Sequence, residues 1–393
     1  MMTRGFSLYL DALRFLAAVL VLFSHLAYPR YSNGDLVWMR ELNLGSDAVI
    51  LFFVLSGFVI AHTTHANNRT GADYAKARMA RLYSVAIPAL IFTFACDWLG
   101  RSINPAAYAG WWYNGSDQAE QVWRALTFSS QAMGDNLRIG TNGPFWSVAY
   151  EAWYYAAFGI AVFTRGWRRI ALLAILAALA GLPILLLAPC WLAGVGLNHA
   201  LKRQSAPVVA PGTAWIFALA PWAVYAGWLA IDMPGTLTLV TFAVFGAGEI
   251  SPFAMFGFSN EFMWNSLLAV LFCAHFFGVH SLARNADWVS ASAERAIRWL
   301  AGATFSIYLF HYPLLTLLHA LPHYDAANPL HYAGAAGASL AACFALAELS
   351  ERRLGAWKRL LDRAFARPMS PRGPARIADQ PTKASTINRI TSP

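Results

Sequence analysis

Arg14 and His25 are the only basic side chains in LDALRFLAAVLVLFSHL, residues 10–26, and they stand eleven residues apart. At 3.6 residues per turn that interval is three turns, so both share one helix face about 16 Å apart along the axis. Asp11 lies one turn before Arg14. An Arg or Asp at mid-depth in a membrane costs about 2.5 to 3.5 kcal/mol, a cost tolerated where the group faces water or a functional cavity. Their chemistry suits such a cavity: neutral imidazole is the natural general base near pH 7, and guanidinium binds phosphate as a planar fork. A plainer reading pairs Asp11 with Arg14 at one membrane surface and leaves His25 near the other.

Other apolar stretches carry isolated polar groups. RMARLY holds Arg78 and Arg81 in Arg-x-x-Arg spacing at the mouth of an apolar run, suited either to phosphate or to anchoring at a membrane surface. PFWSVAYEAWYY buries Glu151, which either orients an imidazole or sits at its own helix N-terminus. His311 lies at mid-depth in FSIYLFHYPLL, better suited to hydrogen-bonded packing than to service as a second base, though able to line the same cavity. His62 and His65, His275 and His280, and His319, His323 and His331 lack the cysteines or paired carboxylates of a zinc site. Cys96, Cys190, Cys273 and Cys343 are far apart and without CxxC spacing, which argues against a disulfide or structural metal.

The elements that must position these groups are membrane spans. The 393 residues are 58% hydrophobic and 12% charged, with a mean hydropathy of +0.44, outside the soluble globular range. The expected fold is all-α and polytopic. Runs of suitable length fall at about 8–28, 46–63, 82–99, 145–163, 168–187, 189–201, 214–231, 263–282, 301–319 and 331–349. Asp11 and Arg14 interrupt the first run, which has no small-x-small cleavage site, so a removed signal peptide is not expected.

Lys and Arg set the orientation. With ten spans and a cytoplasmic N-terminus, the inside segments collect Arg4, Arg69, Lys76, Arg78, Arg81, Arg165, Arg168, Arg169, Lys202, Arg203, Arg284, Arg295 and Arg298. The outside loops keep only Arg30, Arg40, Arg101, Arg124 and Arg138. Counting 236–248 as a span would invert this pattern, so that stretch reads as interfacial or re-entrant. Both termini are then cytoplasmic. Residues 1–350 form one transmembrane domain, and 351–393 a basic tail expected to be disordered. The net charge of +9 follows membrane topology rather than nucleic-acid binding.

Taken in order, the Arg-x10-His pair, LFFVLSGF with Ser56, Arg-x-x-Arg, the WSxxxE segment and SIYLFHxPL resemble the membrane-bound acyltransferase-3 family over most of residues 6–350. The resemblance implies a ten-span enzyme, in a bacterial inner membrane, that O-acylates extracytoplasmic glycans and related acceptors. It carries the catalytic roles to His25, Arg14 and Glu151, and a basic cytoplasmic pair to Arg78 and Arg81. Further cavity-lining candidates are Asp11, Ser56, Trp146, Tyr308 and His311. This chain shows no SGNH esterase-like domain after its last span.

The implied donor is acyl-CoA, with acetyl preferred, and the acceptor a hydroxyl of a saccharide or glycolipid; no metal or tightly bound cofactor is expected. Arg78, Arg81 and Arg14 would hold the donor while its pantetheine arm lies along the first span toward His25. His25 and Glu151, both toward the outer leaflet, are expected to meet as a dyad. The loop 100–144 carries Trp111, Trp112, Tyr113 and Trp123, which read as a membrane belt or as platforms for sugar rings. The alternative function is a transporter or exporter of a lipid-linked sugar or small anionic solute, but no pair of Gly/Pro-broken spans occurs in matching halves.

Overall fold

The computed structural model describes residues 3–67, 70–203, 209–246, 255–283 and 289–364. The main helices are α1 (Arg4–Leu26), α2 (Leu44–Asn67), α3 (Gly71–Ile103), α4 (Phe145–Phe163), α5 (Gly166–Ala180), α6 (Leu182–Arg203) and α7 (Pro211–Ala230). They continue with α8 (Met233–Phe245), α9 (Phe262–Leu282), α10 (Ala291–Ala301), α11 (Thr304–His319), α12 (Pro329–Leu349) and α13 (Leu354–Ala364), and no strand occurs among the described residues. Helices satisfy their backbone within the segment, as a bilayer demands. Their starts are capped: Thr3 accepts from the Phe6 N–H, Thr70 and Asp73 form a capping box, and Asn328 caps α12.

Each of the ten expected spans corresponds to a helix, but they differ in character. Seven are long and apolar enough to cross a membrane, namely α1, α2, α3, α6, α7, α9 and the α12–α13 unit, and α10 with α11, bent by 46°, makes an eighth if counted as one span. The protein is thus polytopic and integral to a membrane. The expected boundary between the fifth and sixth spans moves. Gly181 ends α5 at φ 81°, and a side chain there would press on the backbone of Met133 and Gly134. The helix cannot run on to residue 187 and restarts at Leu182.

Two ends of the bundle can be distinguished by their contacts. At the basal end the Thr3 hydroxyl donates to the Ala283 carbonyl at 2.9 Å, Arg4 pairs with Glu294 at 2.6 Å and Lys76 with Asp362 at 2.9 Å. At the distal end Asn43 donates to Glu261 at 2.5 Å. α7 reaches the distal end, where Tyr225 donates to Asp47 at 2.7 Å, and α9 starts from that same end. α8 therefore makes no net crossing, and its thirteen residues span only about 20 Å against a hydrocarbon core of about 30 Å. Arg69 and Arg284 lie outside the described residues.

The sequence assigned 351–364 to a disordered tail, but these residues are helical. Glu351–Arg353 forms a 3-10 turn, and α13 packs along α3. Residues beyond 364 lie outside the described set.

Three features fix the helices around the site. α2 and α6 approach backbone to backbone, because a β-carbon on Gly57 would strike the Trp191 carbonyl and one on Gly194 the Val54 carbonyl. Asp47 of α2 accepts from Tyr225 of α7 and, at 2.8 Å, from the indole N–H of Trp264 on α9. Ahead of α4, Asp97 accepts from the Thr141 backbone N–H at 3.0 Å and hydroxyl at 2.6 Å. Asn142 donates to Thr93 and to the Leu309 carbonyl, each at 3.0 Å, so the entry to α4 is tied to both α3 and α11.

Candidate active site

Helices α1, α2, α3, α4 and α11 enclose a cavity of about 260 Å³ whose lining includes Arg14, Ser56, Arg78, Arg81, Glu151 and Tyr155. Each reaches it from a different turn or helix, and the walls between them are apolar. Glu151 accepts hydrogen bonds from the Tyr155 hydroxyl at 2.6 Å and from the Ser56 hydroxyl. The Trp191 indole in turn donates to Ser56 Oγ at 3.1 Å. The carboxylate therefore neither caps α4 nor meets His25; it takes one hydrogen bond from its own helix and one from α2.

The three arginines differ in how they are held. Arg81 pairs with the buried Glu351 at 3.5 Å and lies 4.7 Å from the Phe305 ring centroid. Glu351 Oε2 accepts from the backbone N–H groups of Phe305 at 2.9 Å and Ser306 at 3.1 Å, so one carboxylate caps α11 and anchors Arg81. Arg14 stands 4.0 Å from Asp11, which also pairs with Arg298 at 3.3 Å and lies outside the cavity lining. Among the described residues Arg78 has no carboxylate within 4 Å; it sits 5.8 and 5.9 Å from the Tyr74 and Tyr155 ring centroids, and its Nε has no hydrogen-bond partner there. Three guanidinium groups around a narrow apolar slot have the chemistry to pair with phosphate or carboxylate.

A second cavity, about 710 Å³, lies toward the distal end and shares Val49 and Tyr308 with the first. His25 lines it, together with Trp146, which stacks on Phe258 at 4.5 Å, and Trp111 and Tyr113 of the long loop. Trp112 and Trp123 do not line it. Arg30 clamps the loop over α1: it donates to the Tyr312 hydroxyl and stands 4.4 Å from the Tyr28, Tyr31 and Trp112 ring centroids. Tyr308 shares a hydrogen bond with Ser147 at 2.7 Å. Burial raises the carboxyl of Glu261 above its ordinary range, against the opposing pull of the Asn43 amide and the Arg40 charge.

The partner of His25 is His311. Its Nε2 lies 2.9 Å from His25 Nδ1, and its own Nδ1 lies 2.7 Å from the Ile307 carbonyl. A carbonyl only accepts, so neutral His311 carries its proton on Nδ1 and offers the Nε2 lone pair. His25 Nδ1 must then donate, which leaves the lone pair of neutral His25 on Nε2. His311 itself is fully buried and does not line either cavity.

A family model described as an acyltransferase domain matches residues 7–348. The chain belongs to the acyltransferase-3 family. This membrane acyltransferase carries both cavities inside the matched region, while Glu351 stands three residues past its end. No curated protein and no solved structure matches the chain significantly.

Sequence reasoning did not single out several residues of the acyltransferase's cavities. Glu351 falls in the stretch assigned to the tail, although an acid two residues past the last apolar run and beside Arg352 and Arg353 is a usable signal. Arg40 and Arg138 served only as topology markers, and Glu261 and Asn265 left no periodic signal at all. All four line the distal cavity.

Proposed function

We propose that the protein transfers an acyl group, preferentially acetyl, from acyl-CoA to a saccharide or glycolipid hydroxyl, with His25 as general base. The observation that carries this reading is the meeting of the two cavities at Val49 and Tyr308, one armed with arginines and the other with an imidazole lone pair. The donor phosphates bind Arg78, Arg81 and Arg14, and the acyl thioester extends toward the junction. A saccharide ring packs against the aromatic walls of the distal cavity. His25 Nε2 takes the proton of the acceptor hydroxyl as its oxygen attacks the thioester carbonyl carbon. The C–S bond then breaks, and the imidazolium returns the proton to the departing thiolate, giving the ester and free CoA thiol. His311 orients His25 as a positioning residue, in place of the expected carboxylate. Glu151 instead holds Ser56 and Tyr155 at the wall of the donor slot.

The experiment is to incubate purified protein with acetyl-labelled acetyl-CoA and a saccharide acceptor and to follow both released thiol and labelled ester. Thioester cleavage that depends on His25 supports the reading. Movement of label across a membrane without cleavage would replace it with an exporter. The accumulation of Lys and Arg at the basal end supports a cytoplasmic orientation for that end, as in a bacterial inner membrane. A reporter fused after Arg298 should read cytoplasm and one near Asn114 the outside; an external signal at 298 would reverse the assignment.

A further inference from the structure

Two arginines line the distal cavity, Arg40 and Arg138. Arg40 lies 4.1 Å from the Tyr28 ring centroid and reaches Ser24 Oγ at 3.4 Å, while Arg138 lies 5.3 Å from the Trp111 ring centroid. Neither has a carboxylate within 4 Å among the described residues, in contrast to Arg4, Arg14, Arg81, Arg124, Arg298 and Arg352. The cavity's own carboxylate, on Glu261, receives the Asn43 amide at 2.5 Å rather than an arginine. A guanidinium stacked on an aromatic face keeps the edge of its fork open to a second ligand. Space is also kept for it: a β-carbon on Gly143 would overlap Arg138 Nη1. Asn265, only 3% exposed, lines the same cavity with Oδ1 lacking any hydrogen-bond partner. Among the described residues these partly buried cations have no ion pair, Arg40 feeling the Glu261 charge only from beyond 4 Å, and together with a buried amide oxygen that has no donor they call for a ligand that supplies both an anion and a hydroxyl.

Extending the proposed transfer, we infer that the acceptor is an anionic saccharide, whose carboxylate or phosphate is gripped by Arg40 and Arg138 while its ring faces Trp111 and Trp146. Asn265 accepts from one of its hydroxyls, and the hydroxyl presented to His25 is the one acylated. A neutral sugar of the same size fills the cavity but leaves both arginines unanswered. This inference rests on the saccharide-acceptor reading, and its test is direct binding, which does not require turnover.

The test measures binding of three probes to purified protein: methyl glucuronide, glucose 1-phosphate and methyl glucoside, with CoA binding measured in parallel. At least one anionic probe should bind about tenfold or more tightly than methyl glucoside, with an affinity that falls as salt rises. The stronger of the two identifies carboxylate or phosphate as the source of charge. Arg138→Gln should remove most of that preference. Arg138→Lys should restore part of it, and Gly143→Ala, which displaces the guanidinium without removing its charge, should weaken it severalfold. CoA binding and melting temperature, unchanged in these variants, show that the fold is intact. Equal binding of charged and neutral probes, or an anion preference that survives Arg138→Gln and Arg40→Gln in folded protein, overturns the inference. Selective anion binding without any His25-dependent thioester cleavage would keep the anion site and reject the transfer reading instead.

Discussion

The basal and distal cavities touch at Val49 and Tyr308 yet are built from different materials. The basal one is narrow, about 260 Å³, with three arginines set into apolar walls, Arg14 paired with Asp11 on its own helix and Arg81 with Glu351 from the turn after α12. The distal one is nearly three times larger, about 710 Å³, and its walls are rings, amides and two arginines that rest on aromatic faces. The first, on the proposed function, recognises charge at fixed points along a thin molecule. The second offers broad faces and many weak contacts, which suit a ring. On the proposed function, donor choice is electrostatic and rigid, acceptor choice is by shape and stacking, and chemistry happens where the two regimes meet.

The largest break in this comparison should come at the junction. His25→Ala removes the base and should lower turnover by about 10² to 10⁴ while leaving CoA binding intact. Retention of full turnover by a stably folded His25→Ala protein would falsify the mechanism. His311→Leu should cost less, about 10- to 100-fold by analogy with the loss of other histidine-orienting partners, and His311→Gln should recover part because its amide oxygen can still accept from His25. Activity should also fall as pH drops, since protonation of either ring removes a lone pair that the arrangement uses. A rate independent of pH on the acidic side would speak against a histidine base.

The basal cavity should respond in a different constant. Arg78→Ala combined with Arg81→Ala should raise KM for acyl-CoA with little change in kcat, because phosphate contacts act in ground and transition states alike. A fall in kcat at constant donor affinity would assign these arginines another role. Glu351→Gln should move KM in the same direction by a smaller, severalfold amount, and should lower the melting temperature because the α11 cap is weakened. If it changed stability alone, Glu351 would be structural only.

The smallest effect belongs to the distal wall. Because burial raises the Glu261 carboxyl above its ordinary value of 4.5, the stability its protonated form contributes is fully present below that pH and is lost as pH rises through the elevated folded value. Glu261→Gln should therefore raise the melting temperature slightly near pH 7 and lose that advantage toward pH 4, which thermal unfolding across pH would show.

Much of this architecture is legible along the chain because membrane helices announce themselves locally. The all-helical polytopic class and the Arg14 to His25 spacing follow from apolar runs and helical period. Contacts between helices are not written that way. Depth alone suggested Glu151 as the partner of His25, but depth leaves rotation about the helix axis free, and α4 turns Glu151 toward Ser56 instead. His311, 286 residues away in sequence, occupies the place beside His25 because α11 packs on α1 there. Glu351 escaped notice because a polar residue after the last apolar run carries the composition of a tail, while its hydrogen bonds belong to the start of another helix.

The glycines at 57 and 194 bear on how substrates enter. With α2 and α6 in backbone contact and Trp191 bonded to Ser56, that side of the basal slot has no slack to slide or part without losing close packing. On the proposed function, any breathing that admits a bulky nucleotide would come from the opposite wall, where α11 joins α10 through a 46° bend and its first turn is capped by Glu351. One wall of the slot stands as a fixed jamb, and the bend lies in the other.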